Sequence, residues 1–153
     1  MLENGNNEHL NISNNVSIYD MKELIIDATE AALGRVSTYA AKQALLGHQI
    51  RIINCDDAVI TGKKKAIIDV YKAKIRRGGY SQKGPYISTI PEKVMKRTIR
   101  GMLPWNVSRG REAFKRIKCF NEAPEQFAKN EHIIKFPKAK DPNISLEMLG
   151  ELL

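Results

Sequence analysis

The sequence has little of what would mark a secreted, membrane-spanning or metal-dependent protein. It has only two cysteines in 153 residues, Cys55 and Cys119. They lie far apart and outside any C-x-x-C spacing, so they read as two unpaired thiols of a cytosolic protein rather than a disulfide framework. Its three histidines, His9, His48 and His132, share no ligand spacing with one another or with the cysteines, which argues against a metal centre. No run of about 18 apolar residues exists, so a transmembrane helix has no carrier. The first residues lack a basic segment followed by an apolar one and do not read as a signal peptide.

The most informative shortage is of acid in one long stretch. The whole chain carries a net charge of +8 and a pI near 9.5. Residues 63–118 hold seventeen Lys and Arg against three acids, whereas residues 1–30 hold one Lys against six acids. The middle of the chain therefore supplies more than the entire surplus. Charge segregated in this way favours a polyanionic partner, nucleic acid before an acidic membrane surface.

What is present is an ordinary globular composition, 42% hydrophobic and 27% charged, in a length suited to one domain with a real core. Residues 1–20 are rich in Asn and read as a mobile extension. Met21 opens what looks like a domain start, and initiation there is a candidate alternative. The run 23–28 suits a buried strand. Residues 33–46 repeat Leu33, Val36, Ala40 and Ala44 at helical spacing, with Gly47 as the stop. Residues 49–55 form a second strand, extended by a third over 58–60. Strand, helix, strand predicts a βαβ unit and a parallel sheet. Further helices are predicted over 63–77, from Pro91 to about 101, and over 109–117, with a short strand at 118–120. Residues 78–85 read as a loop. Residues 122–153 read as an irregular tail with a short docking helix, capped at Asp141.

Catalytic carriers are not legible. Thr61-Gly62-Lys63-Lys64 resembles the end of a phosphate loop but has Asp57 and Lys64 where that loop needs Gly and Ser or Thr. Asp56-Asp57 at a strand end offers a base or metal ligand, and more simply a turn cap. No nucleophile–base set can be assembled. The basic stretch is different. Lys63, Lys64, Lys65, Lys72, Lys74, Arg76 and Arg77 are followed by Lys83, Lys93, Lys96, Arg97 and Arg100, then Arg109, Arg111, Lys115, Arg116 and Lys118. A charge run is often only a solvated face, but here the cations span several consecutive elements. Between them lie Gly78-Gly79-Tyr80, Gly84-Pro85-Tyr86 and Leu103-Pro104-Trp105. Glycine lets backbone N–H groups approach phosphate, and Tyr or Trp can stack on unpaired bases. Folded RNA is the partner these features favour. Two rivals predict other things: an RNA-modifying enzyme needs a cofactor loop, and a DNA-binding module needs a base-reading helix.

Several motifs then occur together in a characteristic order. Asp27-Ala28-Thr29 is followed by Leu33-Gly34-Arg35, then Val59-Ile60-Thr61-Gly62-Lys63, Gly78-Gly79-Tyr80, Arg100-Gly101-Met102-Leu103-Pro104 and Arg109-Gly110-Arg111. Over about residues 22–127 this set resembles large ribosomal subunit protein family thirteen, in its archaeal and eukaryotic branch. The resemblance implies an α/β fold, a three-layer α/β/α domain over residues 21–121 on a small, mainly parallel sheet. It implies a non-catalytic constituent of the cytoplasmic large subunit with no cofactor, no small-molecule substrate and no membrane. Large-subunit ribosomal RNA and neighbouring ribosomal proteins are the implied partners, with entry early in assembly and no independent homo-oligomer. By motif it carries over Arg35, Lys63, Gly78, Gly79, Tyr80, Arg100, Gly101, Met102, Leu103, Pro104, Arg109, Gly110 and Arg111, and of these Arg35, Lys63, Gly78, Gly79, Tyr80, Arg100, Arg109, Gly110 and Arg111 are expected to bind RNA. Met102 and Leu103 read as packing residues, and Arg35 has a local ion pair with Glu30 as its alternative. The remaining cations named above, except Lys72, Lys93 and Lys96, join Trp105 to complete the expected RNA site.

Overall fold

In a computed structural model describing residues 22–77, 87–128 and 133–153, the first apolar run forms strand β1 (Glu23–Asp27). Helix α1 (Leu33–Leu45) follows and stops where the sequence predicts. Gly47 takes a positive φ of 104°. Its N–H bonds Ala44 O at 3.1 Å, and His48 N–H bonds Gln43 O at 3.2 Å. Those two bonds satisfy helix-end carbonyls and turn the chain back in a Schellman stop. Strand β2 (Gln49–Ile53) then lies parallel to β1, with Leu24 opposite Ile50 and Ile26 opposite Ile52. The predicted βαβ unit is present.

Strand β3 (Val59–Thr61) leaves this sheet, because it pairs antiparallel with a strand near the C-terminus, β6 (Asn143–Ser145). The main sheet is completed by β4 (Ile117–Cys119) beside β2 and by β5 (Ile133–Lys135) beside β1. Its order is β4-β2-β1-β5, with every pair parallel.

Residues paired across parallel strands share a face, so Leu24, Ile26, Ile50, Ile52 and Ile117 point to one side. Against them pack α1, α3 (Pro91–Gly101), α4 (Ser108–Lys115) and α6 (Leu146–Glu151), through residues such as Val36, Met95, Ile99, Ala113 and Leu149. The reverse face places Ile25, Arg51 and Lys118 in register. There the short α5 (Glu125–Ala128) brings Phe127 to 5.7 Å from Phe120. The α/β architecture is thus the expected one, a small parallel sheet flanked by helices. Among the described residues no helix is long and apolar enough to cross a membrane.

The tail differs from its sequence reading. Beyond residue 121 it supplies an edge strand of the main sheet, β5, and the partner of β3, β6. Three-residue strands show too few alternations to register as a period. The last helix is capped by Ser145, whose Oγ accepts from Met148 N–H at 3.2 Å, and not by Asp141. The predicted extension at 1–20 and loop at 78–85 lie outside the described residues.

Candidate nucleic-acid interface

Helix α2 (Lys64–Arg76) is the element whose existence most needs explaining. Ile67, Ile68 and Tyr71 lean on the core, yet no residue of the helix is buried and Val70 is 50% exposed. Lys63 at the N-cap is followed by Lys64 and Lys65, and the first turn holds no acid. These cations sit at the positive end of the helix dipole, where acids are the stabilising choice. An anionic partner reverses the sign of that interaction. The triplet lies beside α6, where Lys64 Nζ is 3.2 Å from the Met148 sulfur. Arg76 and Arg77 are about 18 Å away along the helix, so its two ends serve different parts of the surface.

The C-terminal half of α2 faces α3 across a depression of about 470 Å³. Tyr71, Lys74 and Arg77 line one side, and Val94, Arg97 and Thr98 the other. Lys74 Nζ stands 4.8 Å from the Tyr71 ring centre. Burial pushes the Tyr71 phenol above its ordinary range, so it stays neutral beside these cations. Arg97 also borders two further depressions, which continue along α3 to Trp105. One holds Lys93, Lys96 and Arg100. Here Trp105 and Phe114 meet edge to face at 5.2 Å and 89°. The Arg100 guanidinium lies 4.1 Å above Trp105, and Lys96 Nζ lies 5.2 Å from the Phe114 centre. Such exposed cation–π pairs contribute about 0.5–1 kcal/mol each, enough to bias where the two charges point. Trp105 therefore holds a cation on one face, a role its sequence reading as a base-stacking ring did not include.

The arginines of α4 also turn out to have partners within the protein. Arg109 and Arg116 each donate, at 3.3 Å, to a carbonyl that ends α1, Leu45 O and Ala44 O respectively. Both carbonyls lie in the last turn of α1, where Ala44 O already accepts from Gly47 N–H, and cations are favoured at this negative end. Gly110 between them is buried. A Cβ there would stand 2.1 Å from Pro104 O, so its lack of a side chain lets α4 approach the Pro104 backbone. Arg111 and Lys115 are exposed, with no hydrogen-bond or ion-pair partner among the described residues.

Lys118 opens onto two neighbouring depressions, one with Lys93 and Lys96 and one with Arg51. Arg51 was invisible as a site residue because it interrupts an Ile-rich strand. It is fixed by Glu23 Oε1 at 2.9 Å. Lys93 and Lys96 belonged to the cation run but not to the expected site, and they line depressions shared with Lys118, Arg97 and Arg100. Arg35 lies apart on α1, and its alternative partner Glu30 is taken by Lys138 at 2.7 Å. Gly78, Gly79, Tyr80 and Lys83 fall outside the described residues. The structure thus brings together Lys74, Arg77, Arg97, Arg100, Trp105 and Lys118. It leaves Lys63, Lys64, Lys65 and Arg35 away from that surface.

The acids offer no competing site. Asp56 and Asp57 sit in a turn closed by Ala58 N–H on Cys55 O at 3.3 Å. Burial raises the Asp56 carboxyl above its usual range, helped by Glu122, Asp57 and Glu92. Among the described residues no cluster of three His, Cys, Asp or Glu is placed to hold a metal ion.

The family model of ribosomal protein L13 matches residues 21–126, which run from just before β1 into the first half of α5. The chain is similar to large ribosomal subunit protein uL13 of Archaeoglobus fulgidus, 44% identical over 117 residues, 76% of this chain and 72% of that protein. It is also similar to uL13 of Methanopyrus kandleri, 45% identical over 100 residues, 65% of this chain and 62% of that protein. With uL13 of Thermoplasma volcanium it shares 44% identity over 101 residues, 66% of this chain and 74% of that protein. On the matched span and these identities, the chain belongs to the ribosomal protein L13 family.

Proposed function

We propose that the protein is a structural constituent of the large ribosomal subunit in the cytoplasm, that it binds large-subunit ribosomal RNA, and that it enters the particle early in assembly. The family is one of ribosomal proteins, and the role is structural rather than enzymatic. The observation that carries the RNA reading is the surface between α2 and α3, where Lys74, Arg77, Lys93, Lys96, Arg97 and Arg100 line adjoining depressions. A helix gains most of its stability by burying an apolar face, yet no residue of α2 is fully buried, and Lys74, Arg76 and Arg77 stand exposed. RNA phosphates supply the missing counter-charge. Along α3, Arg97 and Arg100 make the directional contacts, because a guanidinium fork can bind two phosphate oxygens at once. Lys74, Lys93, Lys96 and Lys118 add attraction with less geometry. Neighbouring ribosomal proteins complete the surroundings, and outside the particle the chain does not form its own oligomer.

The test is cosedimentation of the tagged chain with ribosomal subunits in cells. The expected result is stoichiometric recovery with large subunits after a high-salt wash. Recovery only in free fractions, or with small subunits, overturns the assignment.

A further inference from the structure

The sheet brings together the two thiols that sequence spacing keeps apart. Cys119 ends β4 and is paired with Ile52 of β2. Phe120 N–H donates to Ile52 O at 2.8 Å, and Cys55 N–H donates to Phe120 O at 3.1 Å. The Cys55 thiol turns back toward Ile52 O at 3.9 Å, the residue that β4 sets opposite Cys119. Both are free. They differ in access. Cys55 is 0% exposed in the core, whereas Cys119 is half-buried and lines a depression of about 440 Å³ with Lys93, Lys96 and Lys118.

We propose that Cys55 and Cys119 form a dithiol modification site, in which a hydroperoxide oxidises Cys119 and Cys55 then closes an intramolecular disulfide. The depression admits a small oxidant to Cys119, whereas Cys55 is fully buried and does not line it. In the first step the Cys119 sulfur attacks a peroxide oxygen. An S–O bond forms, the O–O bond breaks, and the departing oxygen leaves as alcohol or water with the thiol proton. In the second step the Cys55 sulfur attacks the Cys119 sulfur. The S–S bond forms, the S–O bond breaks, and hydroxide leaves as water with the Cys55 proton. Two thiols lose two electrons in all, and one peroxide is reduced. The neighbouring Cys119 thiol and burial push the Cys55 thiol above its ordinary range, so it is not the sulfur that meets the oxidant first. The bridge would tie the end of β2 to the end of β4 and constrain the unfolded chain. Nothing in this chemistry depends on the RNA-binding reading.

Purified full-length protein is treated with hydrogen peroxide, alkylated, digested without reduction and mapped by mass spectrometry. The expected product is a Cys55–Cys119 linked peptide from monomeric protein, reversed by dithiothreitol, with a raised melting temperature before reduction. In Cys55→Ser, Cys119 should stop at a dimedone-reactive sulfenic acid. In Cys119→Ser, Cys55 should remain a thiol. If either variant does not fold, the wild-type map alone decides. Two alkylated thiols after a treatment that oxidises a small-molecule thiol control, or Cys119–Cys119 dimers in place of the internal link, overturn the proposal.

Discussion

Gly110 shows how a residue that looks like part of a binding motif can be required by packing. Gly110→Ala places a methyl group 2.1 Å from Pro104 O. The backbone must shift, which costs about 1–3 kcal/mol in a denaturant melt; an unchanged midpoint contradicts the close approach. The neighbouring arginines divide by role. Arg116→Ala removes a bond to the end of α1 and should lose about 0.5–1.5 kcal/mol of stability. Arg111→Ala, with no partner among the described residues, should lower RNA affinity at native stability. Equal stability losses in both variants would contradict this division. Asp27 ties β1 to the end of β2: its Oδ1 accepts from Thr29 N–H at 3.1 Å, Thr29 Oγ1 at 2.6 Å and Asn54 Nδ2 at 3.0 Å. Burial raises its carboxyl pKa, but these bonds and Lys135 outweigh burial and leave it below the ordinary value. A lowered folded-state pKa gives stability that is full above the unfolded value, about 3.9, and is lost as pH falls through the folded one. Asp27→Asn should therefore flatten the acid limb of a stability–pH curve below about pH 4. An unaltered slope there would show that the carboxylate is not held by these bonds.

Among the elements, those whose ends are set by local chemistry were legible in the sequence. Gly47 stops α1 and Pro91 starts α3 because a left-handed residue and a missing N–H act where they stand. β5 and β6 were not legible, since three residues carry no usable period and their partners are distant in sequence. The candidate site divides in the same way. Charge marked the stretch, but which cations share a surface depends on how α2, α3 and β4 pack. That packing selects Lys93, Lys96 and Arg51 and sets Lys63–Lys65 apart. The contacts of Arg109 and Arg116 with the end of α1 span 64 and 72 residues, far beyond any local signal. Because α2 leans on the core through Ile67, Ile68 and Tyr71 and none of its cations is buried, those charges can be removed at little cost to the core. Replacing Lys72, Lys74, Arg76 and Arg77 together by Gln should weaken RNA binding and lower the salt slope by about 1 per lost contact. The thermal midpoint should not fall. A fall in midpoint with unchanged affinity would make α2 a structural helix instead.

At the scale of the whole molecule, the net charge of +8 comes from residues 63–118, whose surplus outweighs the acidic remainder of the chain, and part of it gathers along α3 and the C-terminal half of α2. The covered face of the sheet gives rigidity, while α2, α3 and the edge at β4 give the charged relief. Such a surface recognises a folded polyanion by shape and phosphate spacing, with little discrimination among bases from its lysines. Its central claim is therefore electrostatic. The most direct test is the affinity of the purified chain for large-subunit ribosomal RNA as salt is varied. With roughly eight phosphate contacts, log affinity should fall against log salt with a slope of about −6 to −7. A flat response would contradict the account.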